Sequence, residues 1–197
     1  MAYISIIQTQ SKVTLQINLK TVKLKIMNEL ELIISLFPLV FMIHEFEEII
    51  CLKRWVSKNG LWLTSKYPKL TKQVTHLGQL SVSAFTVAVL EEFVLVSIIT
   101  VLALTLQWYS VWIAAFTAFT FHVFLHIIQS GIIRKYIPAI ITSLLSLPYL
   151  VWGLIRVLGG FYISMVMVCF VSGTMVTILN LYFVHKLALQ YDKIIEE

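Results

Sequence analysis

His44-Glu45-Phe46-Glu47-Glu48 places one imidazole and three carboxylates inside an otherwise apolar run that extends from Leu32 to Leu52. Two further apolar runs carry Glu91-Glu92 and the pair His122 and His126. An ionisable side chain in hydrocarbon is costly, so such groups mark functional sites by default. Imidazole and carboxylate together suit zinc, non-haem iron or manganese, whereas carboxylates alone would suit magnesium or calcium. On a helix, His44 shares a face with Glu47 and Glu48, while Glu45 points about 100° away and is expected to meet solvent or headgroups. His122 and His126, four residues apart, also share a face. Glu91 and Glu92 are adjacent, so only one can point squarely at a given partner.

The elements that must position these groups are membrane helices. The chain of 197 residues is 59% hydrophobic and 13% charged, with a mean hydropathy of +0.89. Soluble domains carry about 25% charged residues. About 20 apolar residues span the hydrocarbon core as a helix. Five segments approach that standard: Glu29–Leu52, Leu77–Leu106, Trp108–Ile133, Ile137–Val157 and Phe161–His185. The expected fold is therefore all-α, a polytopic membrane helix bundle of about five transmembrane helices. Residues 1–26 read as a peripheral N-terminal extension, 27–190 as the transmembrane domain and 191–197 as a C-terminal tail. Met27 is a second plausible start.

Basic residues sit between the apolar runs, which argues for a topology signal and against nucleic-acid binding. Lys53, Arg54, Lys58, Lys66, Lys69 and Lys72 fill the expected loop between segments one and two. Arg134, Lys135, Lys186 and Lys193 fall on the same face. The positive-inside bias then puts the C-terminus in the cytoplasm and the N-terminus outside. Cys51 and Cys169 show no metal-ligand spacing.

Depth lets the charged groups meet. His44 lies roughly 13 Å before Lys53, and His126 roughly 12 Å before Arg134. Glu92 is roughly 22 Å beyond Leu77, nearer the middle of the bilayer. Leaving Glu91 and Glu92 ionised there costs about 6 kcal/mol, which protonation, a metal ion or a wet cavity must offset.

The pattern His44-x-x-Glu47-Glu48, with five apolar segments and further buried acids and imidazoles, resembles the HXXEE-domain family of small bacterial integral membrane proteins. The resemblance covers residues 27–190. It implies a His/Glu enzymatic centre without implying a substrate, and it carries over His44, Glu47 and Glu48 first, then Glu91, Glu92, His122 and His126, with His185 and Asn180 as weaker candidates. Neither H-E-x-x-H nor H-x-x-E-H is present, because position 48 is Glu. The resulting expectation is a metal-dependent enzyme of the bacterial cytoplasmic membrane, hydrolase-like, acting on a lipid-like or other membrane-accessible small molecule. In it His44, Glu47, His122 and His126 hold a divalent ion, and Glu48, Glu91 or Glu92 moves the proton. A proton- or metal-ion-coupled transporter uses the same residues as a relay. An accessory protein would use them to hold helices together. The sequence leaves the oligomeric state open.

Overall fold

The computed structural model describes the backbone of residues 2–195 and the side chains of residues 28–191. Six α-helices make up the described chain: α1 (Ala2–Lys66), α2 (Thr71–Gln79), α3 (Val82–Leu106), α4 (Tyr109–Ile133), α5 (Ile140–Gly160) and α6 (Ile163–Ile195). A 3-10 turn, Pro68–Leu70, precedes α2. Helices α3, α4, α5 and residues Ile163–Tyr191 of α6 are each long and apolar enough to cross a membrane. The apolar stretch of α1 supplies a fifth segment, interrupted by the charges of the His44–Glu48 cluster. The side chains of the extension expected over residues 1–26, and of most of the 191–197 tail, lie outside those described.

One expected boundary moves. The basic stretch after Leu52 is helix through Lys66 rather than loop. Nothing after Pro38 in this stretch forces a break before Pro68, because Lys, Arg, Leu and Trp all accept helical backbone. Gly60 remains helical and brings α2 close, where a Cβ would press on Val74. Lys53 Nζ bonds the carbonyls of Gly78 and Leu80 at the end of α2. Trp55 donates to the Tyr136 carbonyl at 2.7 Å, and Lys135 lies 3.7 Å over the Trp62 ring. These contacts gather the end of α1, α2 and the α4–α5 connection at one basic end of the bundle.

The turn between α3 and α4 is as short as the sequence requires, with Gln107 in the left-handed region at φ 57°. Away from the basic end, Arg156 pairs with Glu29. The main core lies between α1, α4 and α5, where Phe37, Trp112, Phe116, Leu150 and Val157 are fully enclosed. Trp112 stacks on Phe116 at 4.7 Å, and the Phe37 ring meets Phe116 and Phe119 edge-on. A second cluster, Ala84, Phe85, Ala88 and Val89 against Val184 and Ala188, joins α3 to α6.

Helices α4 and α6 meet backbone to backbone, because a Cβ on Gly173 would overlap the main chain of Ala114. Small residues permit such approach in membrane helices. Main chain cannot rotate away as a side chain can, so Gly173→Val is expected to destabilise the protein by at least about 1–3 kcal/mol. Thermal unfolding in detergent measures this, and an unchanged midpoint would refute the close approach.

Candidate metal centre

Three imidazoles converge. His44 comes from α1, and His122 and His126 come from one face of α4; one nitrogen of each lies within 4.8 Å of those of the other two. Ring centroids are 5.3 Å apart for His44–His122, 5.2 Å for His44–His126 and 4.6 Å for His122–His126. His44 is fully enclosed and His126 nearly so. Phe119 closes one side, 5.5 Å from the His44 ring.

The separations suit ligands of a single ion. His122 Nε2 and His126 Nε2 are 3.1 Å apart, and Glu48 Oε1 is 3.3 Å from His126 Nε2. Two ligands at about 2.0–2.1 Å from a tetrahedral ion sit roughly 3.3 Å from each other. The cluster of His44, His122 and His126 could therefore hold a metal, with Glu48 beside it.

Glu47 points elsewhere. Its Oε2 accepts from the Thr142 amide and the Thr142 hydroxyl, each at 2.7 Å. Its Oε1 accepts from the Tyr136 hydroxyl at 2.8 Å and the Ile141 amide at 3.4 Å. The cause lies in α5, whose N-cap is Ala139 in the left-handed region at φ 66°, with no side-chain cap. A helix start leaves amide protons without partners and favours negative charge. A carboxylate from α1 supplies what Ala139 lacks. Partial burial, with Cys51 and Glu47 alongside, pushes the Tyr136 phenol above its ordinary range, so it remains a donor.

This cap also orients a metal-site candidate. Thr142 Oγ1 gives its one proton to Glu47 and can accept from His44 Nδ1, 3.4 Å away. That tautomer leaves Nε2 of His44 as the basic nitrogen, and Nε2 is buried without a hydrogen-bond partner. Carboxylate-backed histidines are the usual arrangement behind metal ligands. Glu47→Ala is expected to cost about 1–2 kcal/mol through the lost cap, even in metal-free protein. Thermal unfolding of the chelator-treated protein reads this; a loss seen only with metal present would contradict the capping role.

The remaining acids divide between two neighbours. Glu91 accepts from Asn180 Nδ2 of α6 at 3.0 Å. Glu92 faces a cavity of about 710 Å³ together with Glu45, Glu48 and His122, and its Oε1 is buried without a partner. Glu45 is 5% exposed, which corrects the expectation of a solvated side chain. Helix α3 packs along that face of α1, so the residue 100° away from His44 meets Glu48 and Glu92 rather than water. His76 and His185 form a separate stacked pair, with Nε2 and Nδ1 3.2 Å apart.

Sequence reasoning passed over Tyr136 and Thr142. The available signal was Pro138-Ala139, which opens a helix with no Ser, Thr, Asp or Asn at its cap position. A helix that lacks its own cap must find one elsewhere.

Comparison with curated proteins found no match, and comparison with solved structures found none. A family described as "Protein of unknown function with HXXEE motif" matches residues 35–153. The match takes in the whole His44–Glu48 cluster, Glu91, Glu92, both α4 histidines, and Tyr136 and Thr142, and stops before α6. It covers well over half of the 197 residues, and the chain belongs to this HXXEE family.

Proposed function

We propose that the protein is a membrane-embedded, metal-dependent enzyme, hydrolase-like, acting on a lipid-like substrate. One observation carries the reading: three imidazoles from two helices converge beside Glu48, at the wall of a largely apolar cavity. In this proposal His44, His122 and His126 hold a divalent ion, zinc or else iron or manganese. Such an ion polarises a substrate oxygen and makes bound water acidic. Glu48 adjoins both the imidazoles and the cavity, so it is placed to take the proton from water, with Glu92 next along the wall. Glu47, expected among the ligands, serves instead through Thr142 to fix His44, and Glu91 is steadied by Asn180. The basic end faces the cytoplasm by the positive-inside bias.

Transport by the same residues is the competing reading. An ion path needs polar groups along its length, whereas the cavity is lined mainly by Val, Leu, Ala, Ile and Phe. The apolar lining favours a lipid-like ligand. The test compares membrane lipids of cells expressing the wild type, His44→Ala or Glu48→Gln at equal levels. A lipid class consumed only by the wild type supports the enzyme. Identical lipid profiles in all three, with wild-type protein folded and metal-loaded, would overturn it.

A further inference from the structure

The cavity has a direction. His122, Glu45, Glu48 and Glu92 form a polar layer of its wall, and Thr177, Asn180 and His185 of α6 also line it. From His122 the lining continues along α4 through Ala118, Ala115, Ala114 and Val111 to Ser110. Ser110 lies twelve residues from His122, about 18 Å along the helix. One leaflet of the hydrocarbon core is roughly 15 Å deep, so the apolar arm can take a full-length lipid tail. Opposite it stand Val96 and Ile99 of α3 and Val168 and Cys169 of α6. The Ser172 hydroxyl, also on the wall, is engaged by the Val168 carbonyl of its own helix at 2.8 Å.

The cavity also has a side entrance. Leu95 of α3 and Val168 and Val176 of α6 line it and are exposed on the bundle surface, at 40%, 68% and 64%. In a membrane that surface meets lipid rather than water. A ligand enters between α3 and α6 without leaving the bilayer. The polar layer then selects the head: Glu45 is enclosed, and Glu92 Oε1 is buried without a partner. With no ion on the imidazoles, three carboxylates repel an anionic head and offer acceptors to a donor.

We propose that this slot binds a single-chain amphiphile with a neutral or cationic, hydrogen-bond-donating head, its tail running toward Val111 and its head among Glu45, Glu48 and Glu92. The inference rests on the reading above only in placing the head at the metal centre. It makes long-chain alcohols, amines or amides, rather than free fatty acids, the preferred ligands of the metal-free slot.

The test uses the full chain purified in detergent, with and without chelator, and a fluorescent long-chain amine as probe. Straight-chain alcohols, amines and carboxylic acids of graded length compete for it. In the chelator-treated protein, affinity of alcohols and amines is expected to rise with chain length to a plateau, with the matching acids at least about tenfold weaker. Val111→Trp and Val168→Trp, both at exposed positions, are expected to shorten the plateau length while leaving short-chain binding unchanged. Acids competing as well as amines, or a plateau unmoved by both variants, would overturn the proposal. Because binding is read without metal or turnover, chain-length selectivity in a protein that binds no metal would sink the enzyme reading alone.

Discussion

His126→Ala is expected to weaken metal binding by more than about 100-fold. In the site described here His126 Nε2 is the central atom, 3.1 Å from His122 Nε2 and 3.3 Å from Glu48 Oε1. Removing it takes away the one ligand that adjoins both His122 and Glu48. Loss of an outer-shell partner alone costs about 10–100-fold in metal affinity, so loss of a ligand should exceed that. Alanine at 126 leaves a small void beside His44 and His122, and His126 is not part of the main core. The variant should therefore remain folded, and competition with a chromogenic chelator measures the affinity. Wild-type affinity in a folded His126→Ala protein would rule out this geometry.

Glu48→Gln separates holding the ion from using it. Glutamine keeps the volume and an acceptor oxygen but cannot take a proton from water. Folding and metal content are expected to hold, while the lipid change produced by the wild type falls by roughly 10²–10⁴-fold, the usual contribution of a positioned general base. The same substitution at Glu91 should do far less, because Glu91 is engaged by Asn180 and lies off the cavity wall. Quantifying lipid turnover in membranes that hold equal amounts of each variant makes the comparison. Equal losses at positions 48 and 91 would contradict the assigned roles.

The sequence made the helical, membrane-spanning character legible because apolar length alone decides it, and four helices satisfy that criterion outright. It also made the meeting of His44 with His122 and His126 legible, since spacing on one helix and depth between two helices are simple geometry. It misjudged the partners of neighbouring carboxylates. Glu45 and Glu47 differ by two positions, and which one is buried depends on where α3 and α5 pack around α1. Helical periodicity carries no such information. The cap on α5 shows the same limit, because Glu47 and Thr142 are 95 positions apart in the chain. The continuation of α1 past Leu52 was hidden for a different reason: clustered lysines resemble a loop, yet they also form the solvated end of a helix.

X-ray absorption spectroscopy of the purified, zinc-loaded protein tests the central claim most directly. A centre built by α1 and α4 predicts one ion per chain with scattering from three imidazoles and at least one oxygen, reduced to two imidazoles in His44→Ala. A sub-stoichiometric ion, or an imidazole count that His44→Ala leaves unchanged, would contradict it.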